Sequence, residues 1–237
     1  MNLVDVTGGG PLLDEIYDDV FRPSFSFDEL SPRRELAGAL ARGEAVVTAV
    51  VDDDGRPVAA AAGEWSPQTR VLLLSYVAVR PGVRSRGYGA RLMDAVGGSW
   101  QERFRPLVTL VEFEHPLAHG SDPKRGDPAA RFRFYARHGA RALALPYFQP
   151  ALGGRRKRIY GMVLAAVCVT PEARGERDGT VAAGPVRGFL TDYFLTTEEK
   201  VPTDPAARRL WRAVDARGGI PLLDLADAAD LEVSRAG

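Results

Sequence analysis

The sequence predicts a mixed α/β fold with antiparallel hairpins toward both ends of its core. Three observations carry that reading. Two apolar runs of strand length, AVVTAVV at 45–51 and PVAAAAGEW at 57–65, flank the turn signal Asp52 to Gly55 and form a hairpin. The most apolar strand, RVLLLSYVAV at 70–79, leads through a Gly-rich turn into an amphipathic helix at about 88–100. The composition, 45% hydrophobic and 26% charged over 237 residues, suits a chain that buries an ordinary core without staples.

The elements follow in order. Residues 2–6 form a short strand, and 11–22 a helix with Leu12, Leu13, Ile16, Val20 and Phe21 on roughly one face. Ser31 is expected to cap a second helix, with Pro32 at its first position, where no amide donor is needed. That helix stops near Gly43. After the hairpin and the strand at 70–79 comes the helix at 88–100, with Leu92, Ala95 and Val96 spaced for burial. Residues 107–113 are a strand. A loop rich in Asp, Pro and Gly covers about 115–128, and a helix covers about 128–138, ending before Gly139. Strands at 142–149 and 159–169 are joined by the turn PALGGRRKR. The composition then changes. PEARGERDGT at 171–180 reads as a polar linker, helices follow at about 182–195 and 203–217, and the tail is weakly helical. Residues 1–169 are therefore read as one domain. Residues 170–237 are read as a linker and helical extension, too small to stand alone and packed on the first part.

Charge and composition exclude several classes. Lys+Arg and Asp+Glu number 31 each, so the net charge is zero, which argues against a surface built for nucleic acid. The single cysteine, Cys168, excludes a disulfide framework and a Cys-based zinc ribbon. The start, MNLVDVTGGG, is polar and lacks the signal-peptide pattern, and no run of about 18 apolar residues exists. A cytoplasmic location without membrane contact is expected. Lysine occurs three times against 28 arginines, a bias that with the many alanines points to a GC-rich, bacterial genome.

The segment that carries chemistry is Val77-Ala78-Val79-Arg80-Pro81-Gly82-Val83-Arg84-Ser85-Arg86-Gly87-Tyr88-Gly89. A strand ends, the chain turns, and a helix begins. The first amides of a helix lack intrahelical partners, and the dipole makes that end positive. Gly87 and Gly89 let the backbone come close to a ligand, and Arg84 and Arg86 add forked donors that suit phosphate. A diphosphate is the natural guest. A P-loop is excluded because no Gly-Lys-Ser/Thr follows. A dinucleotide fingerprint is excluded because the loop follows a late strand and no suitably spaced acid comes after it.

This segment resembles the acyl-CoA-binding motif of the GNAT superfamily of N-acyltransferases. Phe134-Tyr135-Ala136-Arg137-His138-Gly139-Ala140 resembles that family's second block, with Ala140 in place of the usual aromatic. The resemblance covers roughly residues 1–169. It implies a central, mostly antiparallel sheet with a V-shaped splay, helices on both faces, and acetyl-CoA as cosubstrate without a metal. By the same resemblance, the backbone at Val77 and Val79 pairs with the pantetheine arm. The amides of Arg84, Ser85, Arg86, Gly87, Tyr88 and Gly89 hold the diphosphate. An amine enters from the opposite side and attacks directly, with no acyl-enzyme, so Cys168 is not needed as a nucleophile.

The attacking amine must lose a proton, and a carboxylate with a raised pKa can take it. Glu112 and Glu114 lie two apart on the strand bordering the gap, so they share a face. Glu64, at the end of strand 57–65, is a third candidate, and Glu112 is preferred as the deeper of the pair. By the resemblance Tyr135 protonates the departing thiolate, a role for which a phenol pKa of about 10 is well matched. The alternative is a tyrosine that packs helix on sheet. His115, His119 and Asp122 do not read as a metal site, because Pro116 interrupts the helix that would align them. Arg155 to Arg158 read as a solvated turn.

Charge is unevenly placed. Residues 1–65 hold 13 acids and 5 bases, whereas 121–160 hold 2 acids and 10 bases. If the first helices lie over the acceptor side, Asp14, Glu15, Asp18, Asp19, Asp28 and Glu29 make that entrance acidic and favour a cationic small-molecule or side-chain amine. The competing reading is a catalytically silent acyl-CoA-binding module, with 170–237 serving to bridge a homodimer, to interact or to cover the gap.

Overall fold

The computed structural model describes residues 2–84, 86–122, 126–226 and 231–236. Its strands are β1 (Asn2–Val6), β2 (Ala45–Val51), β3 (Pro57–Ser66), β4 (Val71–Val79), β5 (Val108–Glu114), β6 (Arg141–Leu143), β7 (Met162–Val169), β8 (Thr180–Val181) and β9 (Ile220–Asp224). They form one sheet in the order β1-β2-β3-β4-β5-β7-β6-β9-β8. Among these pairs β4–β5 is parallel and the others are antiparallel. The parallel pair follows from its connection. β4 and β5 are joined by a helical crossover, α3 (Tyr88–Gly97) and α4 (Ser99–Phe104), rather than by a tight turn.

Three apolar layers cover the sheet. On one face α3, α4 and α5 (Pro128–Arg137) bury Leu92, Val96, Trp100 and Tyr135 against Leu72, Leu74, Val111 and Phe113. The other face is divided. Over β2–β4 lie α1 (Pro11–Glu15), the π-helical turn Ile16–Phe21 that continues it, and α2 (Arg33–Arg42). Over β5 and β7 lie α6 (Ala183–Glu198) and α7 (Pro205–Val214), burying Phe189, Leu190, Phe194 and Leu210 against Leu73, Leu110 and Leu164. Gly63 permits one close approach: a Cβ there would sit 2.8 Å from the Trp100 ring. Trp100 in turn donates its indole N–H to Thr48 at 2.9 Å.

Several expected elements differ. Pro32, not Ser31, occupies the cap position of α2, which begins at Arg33. The Ser31 amide instead donates to the Tyr76 hydroxyl at 3.0 Å, and its carbonyl accepts from Tyr17 at 2.9 Å. The helix at 88–100 is two helices, because Gly98 (φ −107°, ψ −96°) turns the chain between α3 and α4. The strand at 142–149 ends at Leu143. Pro146 and Pro150 have no amide to give a ladder, and Leu145, Tyr147 and Phe148 turn into the core. Only a bridge between Gln149 and Ile159 remains of that hairpin. The linker at 171–180 holds a 3₁₀ turn, Pro171–Ala173, and β8. The weakly helical tail contains β9, which starts after Gly218 and Gly219, both at positive φ, and slots between β6 and β8.

Candidate active site

The sheet opens where β4 and β5 part. Their pairing runs from Val71 opposite Val108 to Leu74 opposite Val111 and stops there. One residue later Ser75 is an insertion in β4, since Leu74 faces Gly63 while Tyr76 faces Ala62 on β3. A bulge of this kind bends the bulged strand. It directs Ser75–Val79 away from Glu112–Glu114, which remain paired with β7. The V-shaped splay expected of the fold is therefore present, with a local cause at Ser75.

Side chains at the splay fall on two faces. Phe113 points to the α5 side and stacks on Tyr135, centroids 4.7 Å apart at 19°. Glu112 points to the α6 side. Its carboxylate accepts from the Tyr147 hydroxyl at 2.5 Å and from the Tyr193 hydroxyl at 3.2 Å. Burial pushes the Glu112 carboxyl up to about 7, the Tyr147 bond opposing and the charge of Glu64 adding to the rise. Glu64 lies on the same face, accepts from Ser75 at 3.3 Å and is likewise raised by burial. Glu114 sits differently: it is tied to Arg131 and lies 3.6 Å from His119. Glu112 and Glu64 are thus brought together, while Glu114 is committed to Arg131 at the strand end.

Between α2, the end of β3 and α6 lies a cavity of about 980 Å³. Glu64, Tyr76 and Tyr193 line it, together with the acids Glu35, Glu44 and Asp192 and the bases Arg34 and Arg42. The six acids expected at an entrance are absent from the described lining, and four of them are engaged elsewhere. Asp14 pairs with Arg33 and Asp18 with Arg22. Asp28 accepts from the Lys157 amide at 2.9 Å, and Glu29 from the Ser26 amide at 2.7 Å. The expected solvated turn is also more than that. Arg156 donates to the Leu30 carbonyl and covers the Phe27 ring, and Arg158 binds Glu198 and Asp204.

On the opposite face α3 begins at the basic loop. Gly87 is its N-cap with φ 79°, no side chain among the described residues caps it, and its first turn carries no acid. Among the described residues, nothing lies within 4 Å of a Cβ built on Gly87. Gly89 has another task, since a Cβ there would lie 3.1 Å from the Phe134 ring. Its small size serves packing of α3 on α5. Arg84 and Arg86 are exposed at this mouth, and Ser85 lies outside the described residues. Val77 and Val79 are half-buried on β4 past the point where pairing with β5 ends. Tyr135 is buried on this face, and burial raises its hydroxyl well above the ordinary phenol value, Arg131 opposing. The residues sequence reasoning missed are Tyr147 and Tyr193, which lie 35 and 81 positions from the carboxylate they hold. The tyrosines within the apolar stretches PYF at 146–148 and DYF at 192–194 were the available signal.

Among the described residues, no group of three or more His, Cys, Asp or Glu is placed to hold a metal, and no helix is long and apolar enough to cross a membrane. Curated proteins give no match to the chain. Among solved structures it is similar to a protein described as a GNAT-family acetyltransferase from Bacteroides thetaiotaomicron, at 19% identity and a TM-score of 0.57 over 82% of this chain and 97% of that one. A more partial likeness, TM-score 0.48 at 13% identity, links 72% of it to 97% of the ribosomal-protein-S18-alanine N-acetyltransferase of Escherichia coli. The family model described as an acetyltransferase (GNAT) domain matches residues 44–139, the stretch that runs from β2 through the splay, the basic loop and the Tyr135 helix. Those residues are similar to the GNAT acetyltransferase domain, and the chain shares its fold with the Bacteroides protein.

Proposed function

We propose that the protein transfers the acetyl group of acetyl-CoA to an amine by direct attack in a ternary complex. The observation that carries this reading is Glu112: a carboxyl with a pKa near 7, at the mouth of the splay, on the face that bears the cavity. A base poised near the working pH has both the right protonation state and the drive to take a proton. The opposite face suits an anionic cosubstrate. The amides of the first turn of α3, the space at Gly87 that the described residues leave clear and the exposed Arg84 and Arg86 would receive its diphosphate. The backbone of Val77 and Val79, past the end of the β4–β5 ladder, would receive its extended arm. The acetyl thioester supplies the electrophile.

Each protein group then has a defined task. Glu112 takes the proton that the amine loses. Tyr135, on the cosubstrate face, gives its hydroxyl proton to the sulfur as the thiol leaves. Burial raises its pKa, so the hydroxyl is protonated before the thiol leaves, but its match to a thiolate is poorer than that of an ordinary phenol. Glu114, occupied by Arg131, steadies the strand end and α5. Around the cavity the acids Glu35, Glu44, Glu64 and Asp192 outnumber the bases Arg34 and Arg42, which favours a cationic acceptor over a neutral one.

A thiol-release assay with acetyl-CoA and amines of differing charge tests the reading. Turnover is expected, faster with cationic amines than with neutral amines of similar size. Glu112→Gln should lower kcat by about 10²–10⁴-fold and remove the acidic limb near pH 7, and Tyr135→Phe should lower kcat with little change in affinity for CoA. CoA binding without release from any amine, unaltered by Tyr135→Phe, would instead favour a silent binding module.

A further inference from the structure

The cavity on the amine side has walls that lie outside residues 44–139: α2, Leu152 and Gly153, and α6. Of these, α6 contributes Phe189, Asp192 and Tyr193. Tyr193 alone among them touches both the cavity and the carboxylate behind it. Its ring lines the cavity, and its hydroxyl donates to Glu112 Oε1 at 3.2 Å. Tyr147 holds the other oxygen but is fully buried and does not line the cavity. Glu112 is likewise absent from the described lining residues. A nitrogen in the cavity therefore meets Glu112 by way of the Tyr193 hydroxyl.

We infer that Tyr193 relays the acceptor's proton to Glu112. The inference rests on Glu112 being the base. In the step, the amine N–H bond breaks and its proton bonds to Tyr193 Oη. The Tyr193 O–H bond breaks and that proton bonds to Glu112 Oε1. Tyrosine ends neutral as it began, the carboxylate ends as the acid, and the nitrogen keeps its electron pair for attack. No oxidant or reductant is involved.

The surroundings keep the relay loaded. Burial and then the charge of Glu112 hold the Tyr193 hydroxyl well above the ordinary phenol value, with Tyr147, Glu64 and Tyr76 as the other titratable groups that face it. The hydroxyl therefore always carries a proton to hand on. Position is fixed as well. Tyr193 packs on Phe189, centroids 5.5 Å apart. The C-terminal end of α6 is anchored by Arg158, which binds Glu198 at 2.7 Å and Asp204 at 2.6 Å.

Tyr193→Phe keeps the ring and removes the relay. With acetyl-CoA and spermidine, lysine or an aminoglycoside as acceptor, kcat should fall about tenfold or more while both KM values stay within about twofold. The acidic limb should move to higher pH, because a donor to the charged carboxylate is lost. A proton inventory of the wild-type protein gives a second readout that does not depend on a variant folding. Two protons in flight curve the plot of kcat against deuterium content, and a straight line overturns the relay. A wild-type kcat with an unmoved limb in Tyr193→Phe, alongside an inactive Glu112→Gln, overturns the relay and leaves Glu112 as base. A raised KM with unchanged kcat makes Tyr193 a binding group and also overturns it. Wild-type rates in Glu112→Gln, or no thiol release with any amine, overturn the proposed function and the relay with it.

Discussion

Gly87 and Gly89 look equivalent in a motif and are not equivalent in space. Gly87 holds the left-handed conformation, φ 79°, at an open helix start, whereas Gly89 is kept small by Phe134. Gly87→Glu places a carboxylate where an anion would sit and adds about 1 kcal/mol of backbone strain. Affinity for CoA, measured by calorimetry, should fall by about 100-fold, the loss expected when charge-assisted hydrogen bonds are removed, while the fold persists. Unchanged affinity would place the cosubstrate elsewhere. At this scale the spacing of the loop and the greater depth of Glu112 than Glu114 on β5 are readable along the chain, and Tyr135 is picked out by the resemblance of its block. The partners that tune Glu112 are not readable in this way, because Tyr147 arrives from a loop and Tyr193 from a helix that only the tertiary fold brings to β5.

At the scale of elements, the strands from β1 to β5 were legible because apolar runs and turn residues mark them without reference to distant neighbours. β9 was not. It is five residues long, and its partners β6 and β8 are far away in sequence, so only pairing defines it. The same holds for the segment at 144–149, where two prolines mark the departure from the sheet and buried aromatics show its destination. These differences change what a truncation should do. Sequence alone suggests that removing residues 171–237 leaves a folded core. In the structure Phe189, Leu190, Phe194 and Leu210 fill one layer of that core, and β9 and β8 complete the sheet. Each large side chain lost from a core removes about 2–5 kcal/mol, and the total stability of a domain is only about 5–15 kcal/mol. The chain truncated after Thr170 should be insoluble or lack a cooperative melting transition. A sharp transition near that of the full chain would show that the layer is dispensable.

Across the whole molecule, a net charge of zero is the sum of opposed regions, and the fold brings parts of them into contact. The basic segment at 155–158 reaches the acidic N-terminal segment through Asp28 and Leu30, and reaches α6 and α7 through Glu198 and Asp204. Charge that looked like a means of attracting a ligand is in part used to join the two groups of helices on one face of the sheet. The carboxyl of Glu112 bears on the whole molecule in a second way. Folding raises its pKa from 4.5 to about 7, so the folded state holds the neutral form more tightly than the unfolded chain does. That contribution to stability is complete below about pH 4.5 and is withdrawn as pH rises through about 7. Base catalysis needs the opposite form. Over the range in which the rate climbs, the melting temperature of the wild-type protein should therefore decline relative to that of Glu112→Gln, whose amide does not titrate. Parallel melting curves for the two proteins would show that the carboxyl carries no such energy. A protein built this way is most active in the protonation state its own interior favours least, so a more alkaline optimum is reached only by giving up thermal margin.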